Sequence, residues 1–202
     1  MFVIARHGNT FASGEPPRRI GARTDLPLTA RGREQAEALG ALFAAKGWRF
    51  SRALVSPLRR TRETADAILA AQGTGAPRAE PCNWLAEIDH GRDENQMEDE
   101  VLARIGGPAL AAWDAQAVPP PGWSVDAEAR IAGWRAFFAK AGEEPTLLVT
   151  SNGAARFALL AEPALATAMA RLPSLKLPTG GYGVIRRDAR GALEIAGWGE
   201  RP

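Results

Sequence analysis

Three short apolar runs each break off into a polar turn, and this pattern constrains the chain more than any other feature. Phe2-Val3-Ile4-Ala5 runs into Arg6-His7-Gly8-Asn9-Thr10, Arg52-Ala53-Leu54-Val55 into Ser56-Pro57, and Thr146-Leu147-Leu148-Val149-Thr150 into Ser151-Asn152-Gly153. Apolar runs of this length, bounded by turn residues, read as buried strands. Strands alternating with helical stretches build a parallel sheet covered on both faces. The expected fold is a three-layer α/β/α sandwich with a mostly parallel central sheet. In open sheets of this kind ligands bind beyond the carboxyl ends of the strands. Arg6-His7, Ser56 to Arg60 and Ser151-Asn152 should therefore meet at one sheet edge.

The intervening segments supply the helices. Thr29 caps an expected helix over 30–46, with Ala36, Leu39 and Phe43 on one face and Gly47 at its end. Ser56 and Pro57 read as cap and first-turn proline of a helix running through Leu58, Thr61, Ala65 and Ile68 toward Gly73. Residues 11–28 and 74–95 read as loop. A helix over 98–115 should break or bend near Gly106-Gly107-Pro108, and Ser124 should cap a helix carrying Ile131, Trp134 and Phe138. Two short strands, near 182–187 and 192–197, close the chain. The 202 residues fit one domain, 1–202, and the Pro119 to Pro121 run reads as a connector inside it.

Composition excludes several classes. Twenty-five basic residues against 23 acidic ones leave a net charge of +2, which is no nucleic-acid footprint. No apolar stretch approaches the length of a membrane span, and MFVIARHG lacks the layout of a secretory signal. A single cysteine, Cys82, forbids an intrachain disulfide and suits a reducing, cytoplasmic location. No cysteine pair and no two histidines stand at ligand spacing, so neither a metal nor another cofactor is expected. No Walker-type loop is present. Oligomeric state leaves no trace in the sequence.

The chemistry concentrates in three places. Arg6-His7-Gly8 puts an imidazole just past a buried strand, beside a guanidinium whose planar fork suits phosphate. Gly8 there would let a ligand approach the backbone. A structural histidine in a turn is the plain alternative. Ser56-Pro57-Leu58-Arg59-Arg60-Thr61-Arg62 sets three arginines on the first turns of one helix, where anions are favoured. They point in different directions, so not all can serve one site, and a solvated basic face is the alternative. Arg18-Arg19 and Arg23 sit in the loop between, as surface charge or as extra anion contacts. The tryptophans read as packing.

These segments, with Thr24-Asp25-Leu26-Pro27-Leu28-Thr29 and with Thr64-Ala65, occur in an order that resembles the histidine phosphatase superfamily, also called the phosphoglycerate mutase-like family. The resemblance covers most of the chain. It implies that His7 accepts the phosphoryl group and that Arg6 and Arg60 clamp it. Leu85-Ala86-Glu87, followed by Gly91, resembles the family's proton-donor segment and points to Glu87. Asp89, Asp93 and Glu94 are nearby competitors. Gly8, Asn9, Thr10 and Gly153 are the further expected substrate contacts, and Arg23, just ahead of Thr24-Asp25, is the best candidate among the loop arginines to touch a small phosphorylated metabolite.

One position departs from the family pattern. Where a second histidine is expected after the late strand, this chain has Asn152, and the spacing to the next arginine, Arg156, is one residue shorter. A second imidazole could come only from His90. The resemblance thus leaves three readings: a phosphatase with a phosphohistidine on His7, a mutase returning the phosphoryl group to its substrate, or a relative that binds phosphate without turnover.

Overall fold

A computed structural model describes residues 1–142 and 144–202. Its sheet has six strands: β1 Phe2–Arg6, β2 Arg52–Val55, β3 Ala79–Pro81, β4 Thr146–Thr150, β5 Tyr182–Arg187 and β6 Leu193–Glu200. They lie in the order β3-β2-β4-β1-β5-β6. β3, β2, β4 and β1 are mutually parallel, and only β5 runs against its neighbours. The sheet is mostly parallel, as the sequence pattern requires.

Seven helices cover it: α1 Ala30–Ala45, α2 Arg59–Ala70, α3 Glu98–Ile105, α4 Gly107–Gln116, α5 Ala127–Lys140, α6 Asn152–Ala155 and α7 Pro163–Met169. Successive strand residues face opposite sides, and the cores divide accordingly. Val3, Ala5, Ala53, Val55, Leu147 and Val149 pack with Leu39 and Phe43 of α1 and Ala65 and Ile68 of α2. Phe2, Ile4, Leu54 and Leu148 pack on the other face with Val101, Trp113, Trp134, Phe138, Phe157 and Leu165. Two apolar layers, one on each sheet face, are what a three-layer sandwich requires.

Some local expectations need correction. α2 starts at Arg59, not at Pro57, and Ser56 does not cap it. Asp25 supplies the acceptor instead: its Oδ1 takes the Arg59 N–H at 2.6 Å. Asp126, not Ser124, caps α5 through the N–H of Ala129. β3 falls in a segment expected to be loop, because Ala-Glu-Pro carries no apolar signature and pairs only as an edge strand beside β2. The break expected near Gly106-Gly107-Pro108 is present: the stretch 98–115 forms two helices, parted at Gly106, whose φ of 88° interrupts the helical path.

Candidate active site

β1 and β4 end side by side, and the site begins there. The ladder continues one residue past β1: the His7 N–H donates to Thr150 O at 3.1 Å. A turn at 178–181 closes the other side, with Arg6 N donating to Gly181 O and Gly180 N donating to His7 O. His7 is therefore fixed by its own backbone on both flanks and is 5% exposed.

Its ring is fixed as well. Nδ1 lies 2.8 Å from Gly8 O. A carbonyl only accepts, so Nδ1 carries the hydrogen and Nε2 the lone pair. Arg60 Nε donates to that Nε2 at 3.2 Å. Burial, then the charges of Arg60 and Arg6, hold the His7 pKa well below its ordinary value. The imidazole is neutral at neutral pH, with its lone pair on Nε2.

Two arginines flank it in different ways. Arg6 lines the pocket and anchors through Nη1 to Leu177 O at 2.8 Å, while its Nε is buried without a partner. Burial brings its pKa down to about 10, so it stays a cation. Arg60 is fully buried behind His7, where Nη1 and Nη2 donate to Thr24 O and Gly21 O. It is not on the pocket wall. Arg59 pairs with Glu63 on the surface, so one of the three arginines of this helix reaches the site.

Glu87 stands opposite, 6% exposed. Oε1 accepts the Ile88 N–H at 3.0 Å and Oε2 the Gly153 N–H at 3.1 Å. A Cβ at Gly153 would overlap Oε1, so glycine lets the carboxylate meet α6. Arg130 of α5 holds the segment from outside, donating to Ala86 O and Glu87 O. The competitors are committed elsewhere. Asp93 pairs with Arg104 and accepts the Trp123 indole N–H, and Asp89 accepts from Arg23.

The pocket holds roughly 580 Å³ including its mouth. Its walls include Arg6, His7, Glu87, Asn152 and Gly153 on the strand-end side and Arg18, Arg19, His90, Glu98 and Trp113 across from them. Asn152 reaches it with the carbonyl already used: Oδ1 accepts the Leu177 N–H at 3.0 Å, leaving the amide nitrogen as the donor. Leu177 thus orients two site residues, one through its N–H and one through its C=O.

The other expected contacts divide. Asn9 and Thr10 line the pocket, with the Asn9 amide also tying Phe11 O to Thr29 Oγ1. Gly8 does not face it. A Cβ there would overlap the Gly32 carbonyl oxygen, so this glycine serves the packing of the turn on α1 rather than ligand approach. Arg23 is turned away to Asp89 and Gly91 O, and Arg18 and Arg19 line the pocket instead. Arg156 is fully buried behind the wall, stacked 4.1 Å from the Trp113 ring centre. Trp113, read as packing, does pack, but one side of it faces the pocket. Thr179, in the turn before β5, also lines it, and its only sequence signal is the Gly-Gly pair after it. Among the described residues no group of three or more His, Cys, Asp or Glu side chains is placed to hold a metal ion, and no helix is long and apolar enough to cross a membrane.

Comparison with known proteins agrees with this geometry. The family model of the histidine phosphatase superfamily (branch 1) matches residues 2–200. A 2,3-bisphosphoglycerate-dependent phosphoglycerate mutase 2 of Gloeobacter violaceus is 30% identical over 169 residues, 80% of this chain and 74% of that protein. Phosphoglycerate mutases of Azorhizobium caulinodans and Rhizobium etli are 28% and 32% identical, but the matches span only 59% and 57% of their lengths. Among solved structures, a mycobacterial glucosyl-3-phosphoglycerate phosphatase superposes with a TM-score of 0.76 at 21% identity, covering 100% of this chain and 99% of that one. The α-ribazole phosphatase of Shigella flexneri gives 0.69 at 23% identity, covering 99% and 96%. Similarities at that level of identity establish the fold. With strand ends, a buried Arg-His pair and a family match across the whole sheet in agreement, the chain belongs to the histidine phosphatase superfamily.

Proposed function

We propose that this protein is a phosphatase that hydrolyses a small phosphomonoester through a phosphohistidine on His7. The observation that carries the reading is the His7 ring: neutral, tautomerically fixed by Gly8 O, its Nε2 lone pair flanked by Arg60. A nucleophile needs a lone pair held in place and no proton on it at working pH.

The reaction runs in two steps. The Nε2 lone pair of His7 attacks phosphorus and the ester P–O bond breaks. Glu87, entering the step in its acid form, gives its proton to the leaving oxygen. Arg6, Arg60 and the Asn152 amide neutralise the equatorial oxygens, and Arg60 exchanges Nε2 for an oxygen as the group arrives. Glu87, now a carboxylate held by two backbone N–H groups, takes a proton from water. The water oxygen attacks phosphorus, the N–P bond breaks, and inorganic phosphate leaves.

The names of the curated relatives favour a second reading, a mutase in which the phosphoryl group returns to the substrate. One experiment separates these readings. Rapid quenching with a ³²P-labelled substrate should trap an acid-labile phosphoenzyme that His7→Ala lacks, and the label should leave as inorganic phosphate. Transfer to added 3-phosphoglycerate faster than to water would establish the mutase. Robust aryl phosphatase activity in His7→Ala would sink both, and no turnover by the parent would leave a phosphate-binding relative.

A further inference from the structure

We propose that His90 supplies the second imidazole of this site, donating through Nε2 to a phosphoryl oxygen while its Nδ1 faces Glu94. The proposal rests on the phosphohistidine reading above. It assigns the work to a short turn after Glu87 rather than to the position after β4, where Asn152 stands.

His90 lines the same pocket as Arg6, His7 and Glu87 and is 4% exposed. Its Nδ1 is buried with no hydrogen-bond partner, and Glu94 Oε2 stands 3.6 Å away. A purely structural histidine would be expected to satisfy that atom. A ring that tightens onto its carboxylate when a ligand binds would leave it this way. The ring also meets Trp123 edge to face at 4.5 Å, which limits its rotation.

Glu94 is built to hold a charge beside it. It accepts from Gly21 N at 2.9 Å, Arg23 N at 3.0 Å, Thr24 Oγ1 at 2.8 Å and His90 N at 3.2 Å. Burial pushes its pKa up, but the His90 ring, then the Thr24 hydroxyl and the His90 N–H, outweigh it and bring the value down to about 2. A fixed carboxylate at Nδ1 sets the tautomer and directs the other nitrogen outward. Asp93 is the second acid near the ring, and Arg18 and Arg19 are the cations of the facing loop.

The pair is also joined to the nucleophile. A Cβ at Gly21 would collide with both His90 Nδ1 and Glu94, so the backbone passes there only as glycine. The carbonyl of that glycine accepts from Arg60 Nη2, and Arg60 Nε reaches His7 Nε2. The two histidines stand at the ends of one contact chain. When a phosphate dianion enters between them, His90 takes up a solvent proton on Nε2 and donates that N–H as a hydrogen bond to a phosphoryl oxygen. No bond to phosphorus forms at His90.

The chain has only two histidines, so ¹⁵N-histidine labelling gives two imidazoles, and His90→Gln assigns them. Inorganic phosphate is added at constant pH. The nitrogens of both rings should shift, those of His90 toward doubly protonated values. In His90→Gln, His7 should still respond, but with affinity about tenfold weaker, and turnover of an aryl phosphate should fall about 10²-fold. A response at His7 with none at His90 would overturn the proposal and leave the phosphohistidine reading standing. No response at either ring would remove both.

Discussion

The two sides of the pocket are held by different forces. On the strand-end side, His7 is tied through Thr150 O and Gly180 N, and Glu87 through Ile88 N and Gly153 N. Asn152 and Arg6 are both fixed by the backbone of Leu177. Apart from Arg60, whose side chain reaches the His7 ring, these anchors are main chain, set by a parallel sheet buried on both faces. On the facing side, Arg18 and Arg19 are held mostly by side chains. Arg18 bonds Glu15 and Asn95, and Arg19 pairs with Glu98 and lies over Trp123. Partly exposed pairs of this kind contribute about 1 kcal/mol or less. Backbone anchoring suits chemistry, which needs fixed geometry. Loosely paired arginines can exchange a carboxylate partner for a ligand anion at little cost.

The contrast can be broken most directly at Glu87. In Glu87→Gln the amide can keep one of the two backbone donors but gives up no proton. Turnover of an alkyl phosphate should drop by about 10²- to 10⁴-fold, the usual share of a general acid. An aryl phosphate with a good leaving group should suffer much less. Equal losses for both esters would show that Glu87 only shapes the wall. Asn152 tests the same side at smaller amplitude. Asn152→Asp keeps the acceptor for Leu177 N and replaces the donor with a negative charge. It should lose about tenfold or more in kcat while the melting temperature changes little. A variant as active as the parent would show that Asn152 serves Leu177 alone.

What the sequence revealed follows the same division. β1, β2 and β4 were legible because buried parallel strands are continuous apolar runs, and each ends where a site residue begins. His7, Arg6, Glu87 and Asn152 were legible for that reason and through the family resemblance. The facing side was not. Arg18 and Arg19 look the same in sequence as Arg23, and only the pairing of 18–19 with 95–97 decides which of them faces in. Gly8 and Gly32 meet across the fold, a constraint that no local pattern shows. Arg60 was singled out by the family resemblance, but its burial behind His7 depends on Asp25 starting the helix at Arg59. Arg130 and Leu177 position site residues from distant elements, and no motif marks either.

On the loop side, Arg19→Ala should raise KM by a few-fold to about tenfold for a phosphate ester whose alcohol portion carries a second anion. The kcat should stay within about twofold, because Arg19 is held by Glu98 and Trp123 and bonds none of the strand-end residues. Added salt should raise the parent's KM in the same direction, as screening predicts for exposed charges. An effect confined to kcat would mean that Arg19 itself takes part in the chemistry and does not serve substrate binding.

The smallest effect is a slope in stability with pH, and it belongs to the strand-end side alone. Burial first, then Arg60 and Arg6, depress the His7 pKa well below its ordinary value. In the unfolded chain the same ring titrates at about 6.5. Between the two values the unfolded state binds the extra proton, so stability rises with pH there. The contribution of a neutral His7 is fully present above about pH 6.5 and is lost as pH falls toward the folded value. Its limiting slope for one proton is about 1.4 kcal/mol per pH unit. The buried carboxylate of Glu94, at about 2, works in a lower window: its share is present above about 4.5 and is lost only below that. Glu15, on the loop side, is also lowered and adds nothing between pH 6.5 and 5. Urea unfolding of the parent and of His7→Ala at several pH values from 7.5 to 5 isolates the effect. The variant is expected to differ in absolute stability, so the readout is the slope. The parent should lose stability more steeply than the variant over this range, while Arg18→Ala runs parallel to the parent. Parallel curves for the parent and His7→Ala would mean that the fold does not hold His7 neutral, and the nucleophile would need another source of its lone pair.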